Sequence, residues 1–595
     1  MRFSSHGGRL VLPGKSRNRN LSLAASIALV FACVLAIVST YDRVSQTTDE
    51  PTHIATGLEW LQDGTYSMWT ENPPLSRVPL ALGLYYSGAR LPDEGRSKTD
   101  IEAKSWISLE LGNRVLYENG DYRRRLGLAR AGTLPFFLLA AAVLWLWLAP
   151  HNALSGFLAV TTFCTLPAIL AHSALATTDM AFAAMFLLFI WRLVRWLQES
   201  TALRSALLGV CLGLAVATKF TAIVFIPAAA FALIVARMWG ERKSATFSWE
   251  VWRSRVLHSL AITAPIGFLV LWGAYRFSLG TISALPSHID DWVVYGPDAV
   301  GLSGALANAM VDILVPVPEF FHGVFVLLAH NDAGHDAYAL GNLSDSGFWY
   351  FYPLALLVKT PFPFMIFVGA GLTAAVLRSR ETPWWVWGVL GAIPLILLAL
   401  LNSQVNIGLR HVLVVYGLAA LAAAAVVTPA LERLDESKFR VAGLFLLVVL
   451  TWQVAETALS SSSSLTYFNP IAGDEPGTYL VDSDLDWGQG VFELERFFSE
   501  QEATSLYIAY FGSAQLCEHD LPEIRGLEPN KPVQGWVAVS EFYYRDAASV
   551  YWAGPPCDWD AQHSIERPEN GYFHWLLDHE PVAILDGSIR VYHVD

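Results

Sequence analysis

Charged residues are scarce in this chain: 15% of 595 residues, where a soluble domain carries about 25%, while 54% are hydrophobic. Positive charge is the scarcer sign, with 39 Lys and Arg against 53 Asp and Glu, a net charge of −14. No basic groove with interleaved aromatics exists, which argues against nucleic acid as a partner. There is no P-loop and no dinucleotide-binding glycine fingerprint in a strand-helix context. No short-period repeat and no long low-complexity tract is found. Cysteines number five. Cys33, Cys164 and Cys211 lie in apolar runs and read as packing residues. Cys517 and Cys557 lie in a polar C-terminal part, and spacing alone leaves their pairing open. His322, His330 and His335 with Asp332 and Asp336 make no convincing metal spacing and read as a solvated loop.

What the chain has instead is apolar runs of about 20 residues, the length that spans a bilayer. They predict about eleven transmembrane helices, near 21–40, 126–148, 153–171, 178–198, 203–218, 220–238, 257–276, 348–377, 383–401, 409–428 and 440–459. Arg2, Arg9, Lys15, Arg17 and Arg19 precede the first run. That run resembles a signal peptide, but its length and the lack of a small-residue cleavage site favour a retained span. With the N-terminus inside, every basic short loop falls on the cytoplasmic side. These loops hold Arg192, Arg195 and Arg204; Arg237, Arg242, Lys243, Arg253 and Arg255; Arg378 and Arg380; Arg433, Lys438 and Arg440.

The fold class that follows is a mainly α, polytopic membrane protein with two large outer segments, 41–125 and 277–347, inside a membrane domain of residues 1–459. Residues 460–595 are expected to form an extracytoplasmic α/β domain, since Ser505-Leu-Tyr-Ile-Ala-Tyr and Gly535-Trp-Val-Ala-Val alternate as strands do. In the first outer segment, Ile54, Leu58 and Leu61 fall on one helical face after Pro51. Residues Asp100 to Tyr117 read as a second helix, lying along the membrane surface.

Polar residues gather at the outer ends of these spans. Asp49 and Glu50 follow the first, Asp179 opens the fourth, Lys219 sits between two apolar runs, and Arg410-His411 opens the tenth. Singly each has a plain explanation: acids favour helix N-termini and a lysine at an apolar boundary snorkels. Bases on an outer loop run against the positive-inside trend, however, and an anionic head group such as phosphate accounts for them. Acids and cations at one membrane level suit transfer from a lipid phosphate, with the acid deprotonating an acceptor hydroxyl and the cations stabilising the departing phosphate.

Short motifs run along nearly the whole chain: Thr48-Asp49-Glu50-Pro51 with His53 and Gly57; Asn72-Pro73-Pro74-Leu75; Thr177-Thr-Asp179; Gly213-Leu-Ala-Val-Ala-Thr-Lys219; Gly334-His335-Asp-Ala-Tyr338-Ala-Leu-Gly341; Tyr350-Phe-Tyr-Pro353 through Lys359-Thr-Pro361; Asn406-Ile-Gly-Leu-Arg410-His411; and Asp484-Leu-Asp486-Trp487-Gly488-Gln489. In order and spacing they resemble the GT-C fold membrane glycosyltransferases, nearest the protein mannosyltransferases of glycosyltransferase family 39 and the lipid A aminoarabinose transferases. The Asp484–Gln489 text belongs to a less characterised branch with a C-terminal domain, which leaves the acceptor open.

The resemblance implies a transferase of the multi-pass cell membrane using a polyprenyl-phosphate sugar as donor. It places Asp49, Glu50 and Asp179 in catalysis, and Lys219, Arg410 and His411 at the donor phosphate. His53, Asn72, His335 and Tyr338 become further substrate-binding candidates. The acceptor is a glycan, lipid or protein hydroxyl and the transfer inverts the sugar carbon. The resemblance assigns no certain cofactor and leaves a divalent cation open. Two other readings stand beside it: a transporter or lipid flippase, which would carry ionisable groups near the bilayer midplane, and a non-catalytic sugar-binding membrane protein.

Overall fold

The computed structural model describes residues 13–97, 100–101, 106–242, 248–286, 311–557 and 561–595. Arg2, Arg9 and Lys243, and residues 287–310 of the second large segment, lie outside the described residues.

The chain is mostly helical, and it is a multi-pass membrane protein. Seven described helices are long and apolar enough to cross a bilayer, or nine if each of two bent pairs is one span. The first, Arg19–Ser39, turns Ile27, Phe31 and Leu35 outward, as a lipid-facing helix does. Helices Ala202–Val216 and Trp384–Ala399 match two of the eleven expected runs but fall short of a spanning length. All eleven apolar runs are therefore helical, whereas seven to nine satisfy the length for crossing.

Proline makes both bends. The pairs Ala153–Cys164 with Pro167–Ser173 and Phe351–Lys359 with Phe362–Leu377 turn by 69° and 109°. A residue before proline is steered out of the α region. Leu166 before Pro167 and Thr360 before Pro361 are accordingly extended, at ψ 129° and 127°. The second bend leaves Lys359 at a helix end, where its ammonium donates to the carbonyls of Leu465, at 2.7 Å, and Asp484.

The segment after the first span builds a small helical cap. Helix Glu50–Gln62 packs against Pro74–Tyr86 so closely that a Cβ on Gly57 would collide with the Arg77 carbonyl. Of the surface helix expected over 100–117, residues 102–105 lie outside the described residues; the helix Ile107–Tyr117 buries Ile107, Leu111 and Val115. Its apolar face therefore lies on protein, in one core cluster with Ile54 and Leu58, instead of on lipid.

Past Leu459 the chain forms a five-stranded mixed sheet. Its strand order is Ala583–Leu585, Ile589–Val594, Gly535–Ser540, Ser505–Ala509, Glu523–Gly526, with the last three parallel. Helix Val491–Ser499 covers one face through Val491, Leu494 and Phe498. An aromatic cluster including Tyr543, Tyr551, Tyr572 and Phe573 covers the other. Cys517 and Cys557 form a disulfide, with Cα atoms 5.9 Å apart. The sheet region is bonded to the cap: Gln46 donates to Ser513 Oγ at 2.9 Å and Asn113 to the Ser513 carbonyl at 2.7 Å.

Candidate active site

Four chain segments far apart in sequence meet at the ends of the spans. Asp49 is the N-cap residue of helix Glu50–Gln62, yet its side chain makes no capping bond. Its Oδ2 instead accepts from Arg410 Nη1 at 2.7 Å. Asp179 opens helix Asp179–Gln198, and its Oδ1 accepts from Lys219 Nζ at 2.6 Å. Arg410, in turn, lies over the Trp487 ring at 4.1 Å. Helix Asp179–Gln198 carries Arg192 and Arg195 toward its other end, and helix Ala222–Glu241, which begins three residues after Lys219, carries Arg237 toward its far end, so the acid–cation pairs and the basic loops sit at opposite ends of these helices.

The two pairs are not saturated. Asp179 Oδ2 and Arg410 Nε are buried and lack a hydrogen-bond partner among the described residues. Asp49 keeps a third of its side chain exposed, whereas the Asp179 side chain is 1% exposed. Burial works against charge on Asp49, but the Arg410 guanidinium outweighs it and holds the carboxyl below its usual range. Asp49 is thus an anion at neutral pH with one strong partner and an open side.

Glu50, the other acid of the motif, does a different job. It is fully buried and both its oxygens are occupied. Arg130 Nε and Nη2 donate to it at 2.8 Å each, Thr47 N–H at 2.8 Å and Ala176 N–H at 2.7 Å. A carboxylate so saturated has no free lone pair for a substrate proton. Glu50 ties the first loop to helix Tyr122–Ala131 and to the turn just before Asp179, so it positions the two acids of the site.

His411 also departs from the sequence expectation. Burial, with Lys219 and Arg410 beside it, pushes its imidazole well below the usual value, so it is neutral and adds no positive charge. His53 is likewise neutral, lowered to about 3 by burial and the Arg77 guanidinium, whose Nε donates to its Nδ1 at 3.0 Å. Asn72 enters through its backbone: its carbonyl accepts from Tyr66 Oη at 2.5 Å. His335 Nδ1 lies 2.9 Å from the Asp336 carbonyl, and its ring pairs with His330. Tyr338 is buried in the aromatic cluster of the sheet region, not at the Asp49–Arg410 pair. Among the described residues no group of three or more His, Cys, Asp or Glu is placed to hold a metal ion.

What the residue types did not signal is the role of the segment Val481 to Gln489. Thr48 donates through N–H and Oγ1 to the Trp487 carbonyl, at 3.0 and 3.2 Å. Ser45 N–H donates to the Gln489 carbonyl at 3.0 Å. Asp484 accepts the Leu409 N–H at 3.1 Å, and Ser483 Oγ donates to the Ile407 carbonyl. Gly408 has φ +138°, and a Cβ there would strike Ser483 Oγ, so glycine is required for the two loops to lie this close. One stretch of chain therefore clamps the Asp49 loop and the Arg410 loop together, with the buried Trp487 ring under the guanidinium.

No protein-family model and no curated protein sequence matches the chain. Solved structures do. ArnT from Cupriavidus metallidurans bound to undecaprenyl phosphate aligns at 12% identity and a TM-score of 0.45, over 90% of this chain and 97% of that one. The archaeal oligosaccharyltransferase AglB from Archaeoglobus fulgidus, in complex with an inhibitory peptide and a dolichol-phosphate, aligns at 12% identity and 0.44, over 92% and 75%. Both are GT-C fold membrane glycosyltransferases, the group that the sequence motifs resemble.

Proposed function

We propose that this protein transfers a sugar from a polyprenyl-phosphate donor to an acceptor hydroxyl on the extracytoplasmic membrane face, with inversion. The membrane domain (1–459) holds the site, the N-terminus is cytoplasmic, and the region from 460 is extracytoplasmic. The observation that carries the reading is the Asp49–Arg410 pair: a charged, partly open carboxylate beside a guanidinium with an unused Nε.

The chemistry follows from that pair. The acceptor hydroxyl gives its proton to Asp49 as its oxygen attacks the sugar carbon from the side opposite the phosphate. The carbon–oxygen bond to the phosphate breaks, and its electron pair leaves with the lipid phosphate. Arg410 and Lys219 stabilise that anion. An arriving phosphate also competes with Asp49 for Arg410. As Arg410 turns to it, the opposing burial of Asp49 is less well compensated and the carboxylate becomes a stronger base. Donor binding thereby activates the base. Purified protein supplied with polyprenyl-phosphate sugars is expected to yield product with the wild type and none above background with Asp49→Asn; equal product from both would rule out this role.

A further inference from the structure

Beside Thr48, one residue from Asp49, a cleft of about 290 Å³ opens between the cap and the sheet region. Its walls include Trp106 from the cap and Phe511, Tyr543, Tyr551 and Trp552 from the sheet region. Two of these are exposed indoles, Trp552 at 52% and Trp106 at 39%, one on each side of the same cleft. Exposed large aromatics converging on a cavity mark a binding site more often than a bare surface. Resting on the transfer reading above, we propose that this cleft is the acceptor site and that its occupant is a saccharide.

Three observations favour a sugar. Pyranose rings present C–H faces that pack on the electron-rich faces of indole and phenol rings, and their hydroxyls then meet polar groups at the rim. Thr48 and Gln562 supply such groups here. The volume sits just below the ~300–1,000 Å³ usual for small-molecule sites, enough for a terminal sugar and too small for a long chain. Finally, the walls are fixed before any ligand arrives. Thr48 is held by Trp487, Tyr510 Oη donates to the Gly488 carbonyl at 2.6 Å, and Phe511 stacks on Phe542 at 3.8 Å. Leu516 and Pro556 of the wall each adjoin a cysteine of the Cys517–Cys557 disulfide, which ties that side of the cleft. Pre-organised walls cut the entropy cost of binding. Thr48 of the wall directly precedes Asp49 in the chain, which sets the cleft beside the loop that carries the base.

The test is saturation-transfer NMR on the full chain in detergent with the methyl glycosides of glucose, galactose, mannose and arabinose, alongside a neutral Phe-containing tripeptide. Binding of at least one glycoside is expected, with Kd raised about tenfold or more by Trp552→Ala. Because Trp552 is half exposed, its truncation opens no core cavity. Leu109→Trp, which fills the cleft and keeps both indoles, is expected to abolish binding. No glycoside binding, binding indifferent to both variants, or preference for the peptide overturns the proposal. Donor hydrolysis to free sugar, compared between wild type and Asp49→Asn, reads the transfer site separately. Glycoside binding without Asp49-dependent hydrolysis keeps the cleft and removes the transfer reading; the reverse result removes the cleft alone.

Discussion

Asp49 and Glu50 are neighbours in the chain and opposites in the fold. Glu50 is fully buried in a fork with Arg130, and every acceptor position that it uses is filled from the protein. Asp49 has one cation, an exposed flank and, through Arg410, a link to the Asp179–Lys219 pair. Two acids of nearly the same chemistry thus divide into a brace and a candidate base. The difference teaches that a buried ion pair indicates function only where it is left incomplete. Saturation fixes geometry, while an unfilled valence is what a substrate can use.

The comparison breaks first on activity. Asp49→Asn should reduce transfer by about 10²–10⁴-fold, the usual range for a lost general base, while the protein stays folded in thermal melts. If Glu50→Gln gave the same loss with an unchanged melting temperature, the division of labour would be wrong.

The next effect is on stability. Arg130→Ala leaves Glu50 buried and uncompensated, which should cost about 3–5 kcal/mol in denaturant unfolding in detergent. Replacing the pair together, Glu50→Leu with Arg130→Met, should recover most of that loss, since a packed apolar pair avoids desolvating two charges.

A smaller effect lies in pH dependence. Arg410 holds the Asp49 carboxyl below the usual range. Activity that needs the carboxylate is lost as pH falls through that value. Arg410→Gln leaves burial unopposed by its largest partner, so the acid limb of the pH–rate profile should move to higher pH, alongside a raised KM for donor. An unmoved limb would separate Asp49 from the rate.

A last effect, on the pH dependence of stability, concerns a third acid. Asp486 is fully buried, accepts the Phe542 and Gly488 N–H groups at 3.0 and 3.3 Å, and forms no ion pair among the described residues; burial pushes it up to about 8. A carboxyl raised above its unfolded value of about 3.9 keeps its proton in the fold while the unfolded chain loses one. Stability therefore declines as pH rises from about 4 to 8. Asp486→Asn should flatten that slope in thermal melts, and an unchanged slope would assign it to another group.

Much of the site could be read in advance because membrane spans impose parity. Apolar runs and basic loops led to the expectation that Asp49, Asp179, Lys219 and Arg410 share one level, and the structure brings their side chains together in two linked acid–cation pairs. Spacing could not say which acids would be saturated. Glu50 looks like Asp49 in sequence, and its partner Arg130 sits 80 residues away in a different helix. His411 carries no sequence sign that burial and two neighbouring cations keep it neutral. The membrane-surface helix was misplaced because an apolar stripe has the same spacing whether it meets lipid or protein.

Composition and periodicity determined the apolar helices and the alternating strands past Ser505, since each depends on neighbours within a few residues; the spans read as continuous at 153–171 and 348–377 are broken at Pro167 and Pro361. Tertiary structure alone decided that Cys517 meets Cys557, that Val481–Gln489 clamps two loops from the membrane part, and that an aromatic cleft opens beside Thr48. Those outcomes join groups tens to hundreds of residues apart, and the energy that selects them, desolvation and packing across several segments at once, has no local signature.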